Sequence, residues 1–264
     1  MIIKNLFVAN TKYFTTIQIL LSIILLSYVI IFDYSWMWLI AGLFGYFLTG
    51  CLGITLTFHR YLSHKSFKLS KFLERTFTFL GAMGGTGSSI GWVSIHREHH
   101  KHSDKEEDPH SPKYQGWKIL FPSYIHNGNK FTVRDLIIDP YHFFIHKYYF
   151  LILVIWASFL SFIFGIKGFI FLFCMPIVCQ VWVSVLSNYI NHSKWFPGGY
   201  KNFDIKDDSV NNPLIALISW GEGWHNNHHH NTRNYTFKKK WWELDITGYI
   251  IDLIRLDKKI INTK

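Results

Sequence analysis

Four uncharged apolar runs alternate with polar stretches along the chain: 17–32 (IQILLSIILLSYVIIF), 36–58 (WMWLIAGLFGYFLTGCLGITLTF), 148–165 and 168–190. A bilayer core of about 30 Å is crossed by about 20 helical residues rising about 1.5 Å each. The second and fourth runs meet that length outright, and the first and third meet it with their flanks. The pattern therefore predicts four transmembrane helices, over about 13–33, 36–58, 147–165 and 168–190, arranged as two hairpins. The connectors inside the hairpins are short and carry only Asp33 and Lys167 as charges. Residues 59–146 and 191–264 are left to form a helical cap on one side. The expected fold class is an all-α integral membrane protein, with 1–264 as a single domain.

Within the cap, periodicity predicts a membrane-surface helix over 69–83, with Phe72, Leu73, Phe77 and Leu80 on one face. Gly81, Gly84, Gly85, Gly87 and Gly91 loosen the chain before a helix that Trp92 opens. The segment 131–145 reads as a surface helix interrupted by Pro140. Residues 238–259 (KKKWWELDITGYIIDLIRLDKK) suit an interfacial helix with aromatic anchors.

Charge orients this picture. Apart from Lys167, every Lys and Arg lies before the first run, between the second and third, or after the fourth. The positive-inside tendency places those segments, and both termini, in the cytoplasm. A bacterial inner membrane fits this better than the endoplasmic reticulum. The net charge of +10 then faces anionic headgroups, and no nucleic-acid motif accompanies it. Lys4 and Lys12 precede the first run and no small-residue cleavage site follows it, so that run is read as a retained anchor. Cys51, Cys174 and Cys179 fall inside apolar runs without a C-x-x-C pair and read as packing residues.

Histidines supply the candidate chemistry. His59 and His64 stand where the second run ends, and His96, His99 and His100 form H-x-x-H-H. Asn188 and His192 close the fourth run, and His225, His228 and His229 form a second H-x-x-H-H. The topology brings these groups to one side of the membrane. Positions i, i+3 and i+4 share a helix face, so each H-x-x-H-H can address a common centre. His59 and His64 diverge by about 140° on an ordinary α-helix, so the helix is expected to end or unwind between them. Gathering neutral polar rings at a membrane boundary is unfavourable unless metals pair with them. Nine imidazoles suit two transition metals, and no cysteine joins them as in structural zinc sites. Redox chemistry on a lipid chain, with iron and O2, uses all of these features. His102, His110, His126, His142, His146 and His230 lack the patterning and are read as surface or supporting residues.

With N-x-x-x-H between the last two groups, this motif set resembles the membrane fatty acyl desaturases of the stearoyl-CoA (delta-9) type. The stretches LGITLTFHRYLSH, WVSIHREHHKHSDKEEDPHSP and GEGWHNNHH…WWELDI extend the likeness beyond the histidines, over roughly residues 35–255. The resemblance implies four transmembrane helices, a cytoplasmic cap and a di-iron centre bound by His59, His64, His96, His99, His100, His192, His225, His228 and His229. Asn188 would reach one iron through a water. The implied reaction removes two hydrogens from a long acyl chain, using O2 and two electrons from cytochrome b5 or a ferredoxin with its reductase. Trp92 and Ser184 would line the bend of an acyl tunnel, and Phe47 and Cys51, which share a helix face, are candidates for its floor. Animal acyl-CoA enzymes of this type carry an Arg-Asp pair where this chain has Ser94 and Ile95, and the stretch GWKILFPSYIHNGNK also departs from the usual pattern. The carrier is therefore open between CoA, a membrane lipid and acyl carrier protein.

Three rival readings are weighed. A related histidine-rich di-iron hydroxylase or monooxygenase acting on an alkane, sterol or aldehyde is the nearest alternative. A metal transporter would need ligands along the spans at mid-membrane. A carboxylate di-iron bundle would use Glu107 with His110 and Glu222 with His225, but Pro109 breaks the first pair, Gly223 flanks the second, and the further inward glutamates are missing.

Overall fold

A computed structural model of the chain describes residues 13–32, 35–121, 130–193 and 196–257. Regular structure among these residues is helical, and two isolated antiparallel bridges, Tyr200 to Asn211 and Asn211 to Trp224, stand in place of any strand. In chain order the main helices are α1 (Phe14–Ile31), α2 (Trp36–Ser63), α3 (Lys71–Met83), α4 (Ser89–His102), α5 (Pro140–Lys147), α6 (Tyr149–Lys167), α7 (168–191), α8 (Pro213–Ile218), α9 (His225–His230) and α10 (Ile246–Ile254). Lys4, Lys12, Asp33, His126 and the rest of 122–129 lie outside the described residues.

Three helical stretches are long and apolar enough to cross a membrane: α1, α2 and the 43-residue run Tyr149–Asn191. The last is not straight. Gly165 takes φ 62° and ψ −155°, a conformation that glycine tolerates best. A Cβ built on Gly168 would sit 2.4 Å from the Leu160 carbonyl oxygen, whereas residues eight apart in a straight helix are separated by about 12 Å. The chain doubles back here and divides α6 from α7. Trp38 packs on both sides of this turn, its ring 6.1 Å from Phe164 and 6.2 Å from Phe171. Phe14 meets Tyr149 at the opposite end. The outward faces of these helices leave Ile30, Ile40 and Phe162 exposed, as suits contact with lipid.

Two features of α2 position the site. Ser35 caps its start by accepting from the Met37 N–H, and the helix runs five residues past the expected end at residue 58. From Phe47 to Ser63 it is wound as a π-helix, with bonds that skip five residues instead of four. The hydroxyls of Thr57 and Ser63 reinforce that spacing, donating to the Leu52 and Phe58 carbonyls at 2.8 and 2.7 Å. The helix is thus unwound through His59 and ends at Ser63 with His64 as its cap, in line with the expected change between the two histidines. The His64 N–H donates to the His59 carbonyl at 3.3 Å.

The second feature is the crossing of α2 with α3. A Cβ on Gly53 would lie 2.4 Å from the Gly81 Cα, and one on Gly81 would meet the Phe58 ring at 2.7 Å. α3 thus packs through Glu74, Thr78 and Gly81, while Phe72 is 76 % exposed. Phe72, on the apolar stripe read from sequence, stays on the outside because only the small-residue side admits so close an approach.

Hydrogen bonds fix α4 over this crossing. Ser88 caps it, so the helix begins at Ser89, one turn before Trp92, with Gly91 inside its first turn. His142 of α5 donates from Nε2 to Glu74 at 3.0 Å, which leaves Nδ1 to accept from the Ser89 hydroxyl at 2.8 Å. Arg97 reaches the Leu62 carbonyl at 2.6 Å and Asp135 at 2.9 Å, covering the end of α2 with positive charge. The segment expected over 131–145 is helical on both sides of the break before Pro140: short turns cover Lys130–Val133 and Arg134–Ile137, and Pro140 opens α5 after an Asp139 cap, its fixed φ suiting a first turn. The interfacial helix expected over 238–259 is shorter, covering only α10, where Asp245 accepts from the Gly248 N–H. Trp241 and Trp242 precede it in turns.

Gly53→Val in the detergent-purified protein is expected to lower the melting temperature, at a cost of about 1–3 kcal/mol for forced overpacking. Gly91→Ala, whose added Cβ meets nothing nearer than the Ser88 hydroxyl at 3.7 Å, should leave the melt unchanged.

Candidate metal centre

All nine patterned histidines converge where α2 and α7 end. Their ligating nitrogens fall into two groups, each within 4.8 Å: His59, His64, His96, His100 and His228, and His99, His192, His225 and His229. Each H-x-x-H-H is thereby split, contrary to the common centre expected from spacing. On a helix the i and i+4 rings stand nearly in line, while the i+3 ring lies about 100° from i+4. His96 and His100 accordingly serve one group and His99 the other, and His225 and His229 part from His228 in the same way. Across helices, Nε2 atoms approach at 2.9 Å for His59 with His228, 2.9 Å for His64 with His96, and 3.0 Å for His192 with His225.

The far side of several rings meets carboxylates. Nδ1 of His99 lies 3.0 Å from Asp108, that of His192 2.9 Å from Asp104, and that of His229 2.7 Å from Asp207. Nδ1 of His59 contacts Glu222. In the neutral ring each of these Nδ1 atoms carries the proton and donates it, so Nε2 holds a bare lone pair directed inward. The Nε2 atoms of His99 and His229 are buried without any hydrogen-bond partner. Burial holds His96, His100, His225, His228 and His229 well below the usual histidine range, and pushes His64 down to about 3. For His192 burial also acts downward, but the Asp104 hydrogen bond and charge outweigh it and the net shift is upward. Converging neutral nitrogens with orphaned lone pairs are compatible with metal binding.

Two asparagines brace α9 between its histidines. Asn226 donates to the Phe203 carbonyl at 2.9 Å, and Asn227 to the Phe237 carbonyl at 2.8 Å and to Glu243 at 2.9 Å. Phe237 stacks on His228 with centroids 4.3 Å apart. The buried guanidinium of Arg60 covers the Phe237 ring at 3.7 Å and pairs with Asp245 at 2.8 Å.

A cavity of about 180 Å³ opens beside the imidazoles, lined by members of both groups, His59, His96, His99 and His225, and by Trp92, Ser184 and Asn188. Trp92 stacks on His96 with centroids 4.8 Å apart. The Asn188 amide donates to the His110 carbonyl at 2.7 Å. Phe47 and Cys51 do not line the cavity. Cys51 is fully buried beside the Thr247 hydroxyl at 3.3 Å, and Phe47 packs edge-on to Trp220 at 5.5 Å. The wide winding of α2 is the reason: it turns Tyr46, Ile54, Thr55 and His59 toward the cavity and Cys51 toward α10.

Among the other histidines, His110 sits closest, its ring 4.4 Å from His99 and also on the cavity wall. His146 bonds to Ser88 at 2.7 Å, His230 stacks on Phe203 at 3.7 Å, and His102 lies 3.8 Å from Glu98. Sequence reasoning missed Asp104, Asp108 and Asp207, and saw Glu222 only as part of a rival motif. Asp108 follows His99 by nine residues, which is a signal of proximity, whereas Asp104 meets a histidine 88 residues further along the chain. Asp207 offers no spacing signal at all.

A profile described as fatty acid desaturase matches residues 35–250. The chain is 36% identical over 250 residues to a chloroplastic palmitoyl-monogalactosyldiacylglycerol delta-7 desaturase of Arabidopsis thaliana, covering 92% of this chain and 66% of that protein. It is 33% identical over 238 residues to an sn-1 stearoyl-lipid 9-desaturase of Anabaena variabilis, covering 88% and 86% respectively. It is 37% identical over 244 residues to an acyl-CoA 5-desaturase of Anemone leveillei, covering 89% and 73%.

The purified protein should carry about two transition-metal ions per chain, one for each imidazole group. His228→Ala and His225→Ala, which truncate different groups, should each lower that content by about half, read by elemental analysis of folded protein.

Proposed function

Because the chain belongs to the fatty acid desaturase family, we propose that this oxidoreductase introduces a cis double bond into a long-chain acyl substrate at the delta-9 position. The observation that carries this reading is a single apolar-walled cavity whose lining includes members of both imidazole groups. The histidines fit a di-iron centre, with His59, His64, His96, His100 and His228 holding one iron and His99, His192, His225 and His229 the other. Supplied with O2 and two electrons, such a centre provides the oxidising power to break two unactivated C–H bonds.

The chain itself supplies position. Neighbouring methylenes of an acyl chain are chemically alike, so selection among them rests on where the tail is held relative to the metals. Trp92, locked against His96, and Ser184, one turn before Asn188, stand where the tail passes the imidazoles. Tyr46 and Ile54 extend the wall along α2, and the Tyr46 hydroxyl is satisfied by the Ile218 carbonyl at 2.6 Å, so it presents its ring to the cavity. Apolar packing on both sides excludes water from the reacting segment. Asn188, on the cavity wall, would hold a water beside the metals.

The acyl chain is carried by a membrane lipid or CoA, the two carriers named among the relatives, and electrons come from cytochrome b5 or a ferredoxin with its reductase. The protein sits in a bacterial inner membrane as a single domain. Its four spans are α1, α2, α6 and α7, and both termini and the cap are cytoplasmic.

Expression in a host lacking the activity should yield a new monoene at one defined position, found by mass spectrometry of total fatty acids. Label appearing first in intact lipids marks the lipid carrier, and label appearing first in acyl-CoA marks the other. Ser184→Phe should shift the product profile to shorter chains or suppress it at least about tenfold. An oxygenated product instead of a monoene, with iron loaded and reductant supplied, would move the assignment to a hydroxylase.

A further inference from the structure

We propose that the two metal positions are deliberately unequal, Asp104, Asp108 and Asp207 making the four-imidazole position the more anionic one, harder to reduce and slower to release its metal. This deepens the di-iron reading above and rests on it. Three of that group's four rings, His99, His192 and His229, give Nδ1 to a carboxylate at 2.7–3.0 Å. Of the five rings in the other group, only His59 does so, to Glu222. No carboxylate among the described residues contacts His64, His96, His100 or His228.

The surroundings of the carboxylates widen the difference. Glu222 has the Arg60 guanidinium 3.6 Å away, a buried cation that it shares with Asp245. Asp104 is met by the Ser111 hydroxyl and the Asp208 N–H, Asp108 by the N–H groups of Asp104 and His110, and Asp207 by the N–H and hydroxyl of Ser209. These donors are neutral. Lys201 approaches the same loop but bonds to the Asp207 main-chain carbonyl at 2.9 Å, not to its carboxylate. Each carboxylate-bound imidazole is also a more basic ligand. The position with one fewer imidazole therefore gains two more carboxylates, and anionic surroundings stabilise the more oxidised, more highly charged metal.

The test uses purified full-length protein loaded with a Mössbauer-active iron isotope. In the wild-type protein two quadrupole doublets of equal area should convert one after the other during stepwise reductive titration. Asp104→Asn and Asp207→Asn should shift only the doublet that converts last, and speed chelator removal of one iron by about tenfold or more while the other stays. Glu222→Gln should shift the other doublet, and Asp207→Glu should restore retention. Simultaneous conversion of the two wild-type doublets overturns the proposal, whatever the variants do. So does loss of both irons together from a folded Asp207→Asn protein. A wild-type chain that binds no metal overturns the di-iron reading itself.

Discussion

The structure turns on lone pairs that have nowhere to go. Four imidazoles whose Nδ1 protons are taken by Asp104, Asp108, Asp207 and Glu222 must face Nε2 lone pairs into a buried space that holds no donor for His99 or His229. A buried acceptor left unmet costs free energy comparable to a lost hydrogen bond or more, and several facing one another add repulsion. Such an arrangement is stable only around positive charge. The carboxylates behind four of the rings keep those lone pairs available to such a charge.

The winding of α2 links this centre to the cavity. Wide turns over Phe47–Ser63 bring His59 and His64 into one group, where an α-helix would set them about 140° apart. The same turns aim Tyr46, Ile54 and Thr55 at the cavity in register with His59. The histidine grouping and the cavity wall are thus set by one conformational choice. The near contact of Gly53 with Gly81 presses α3 against this stretch, so that the helix bearing Glu74 also bears on the Ser89 end of α4 through His142.

Much of this was legible in the sequence. Spacing indicated the convergence of nine histidines, apolar run length indicated membrane-length helices, and the reversal at Gly165 lies beside the short connector that carries Lys167. What spacing could not reveal was winding. An α-helical ruler placed Phe47 and Cys51 on the cavity floor, because a π-helix leaves no compositional mark. The amphipathic stripe of α3 showed a surface helix with Phe72 outward, but not that its opposite, small-residue side makes the close contact with α2. Carboxylate partners were invisible where chain distance was long, as for Asp207, which reaches His229 only through the fold.

The segment from α9 to α10 ties the centre together, because α9 contributes to both groups at once through His228 on one side and His225 and His229 on the other. Its placement depends on the buried pair of Arg60 and Asp245, neither of which touches the metal positions. A buried ion pair is weak evidence of net stability, since desolvation of both charges opposes their attraction. Its effect here is one of register. Arg60 follows His59 in sequence, bonds to the Tyr235 carbonyl at 2.9 Å, and covers Phe237, whose ring lies against His228. Asp245 in turn accepts from the Phe237 N–H and starts α10. Any other docking of the tail would strand a guanidinium beside the imidazoles, and that penalty selects the one arrangement in which His228 faces His59.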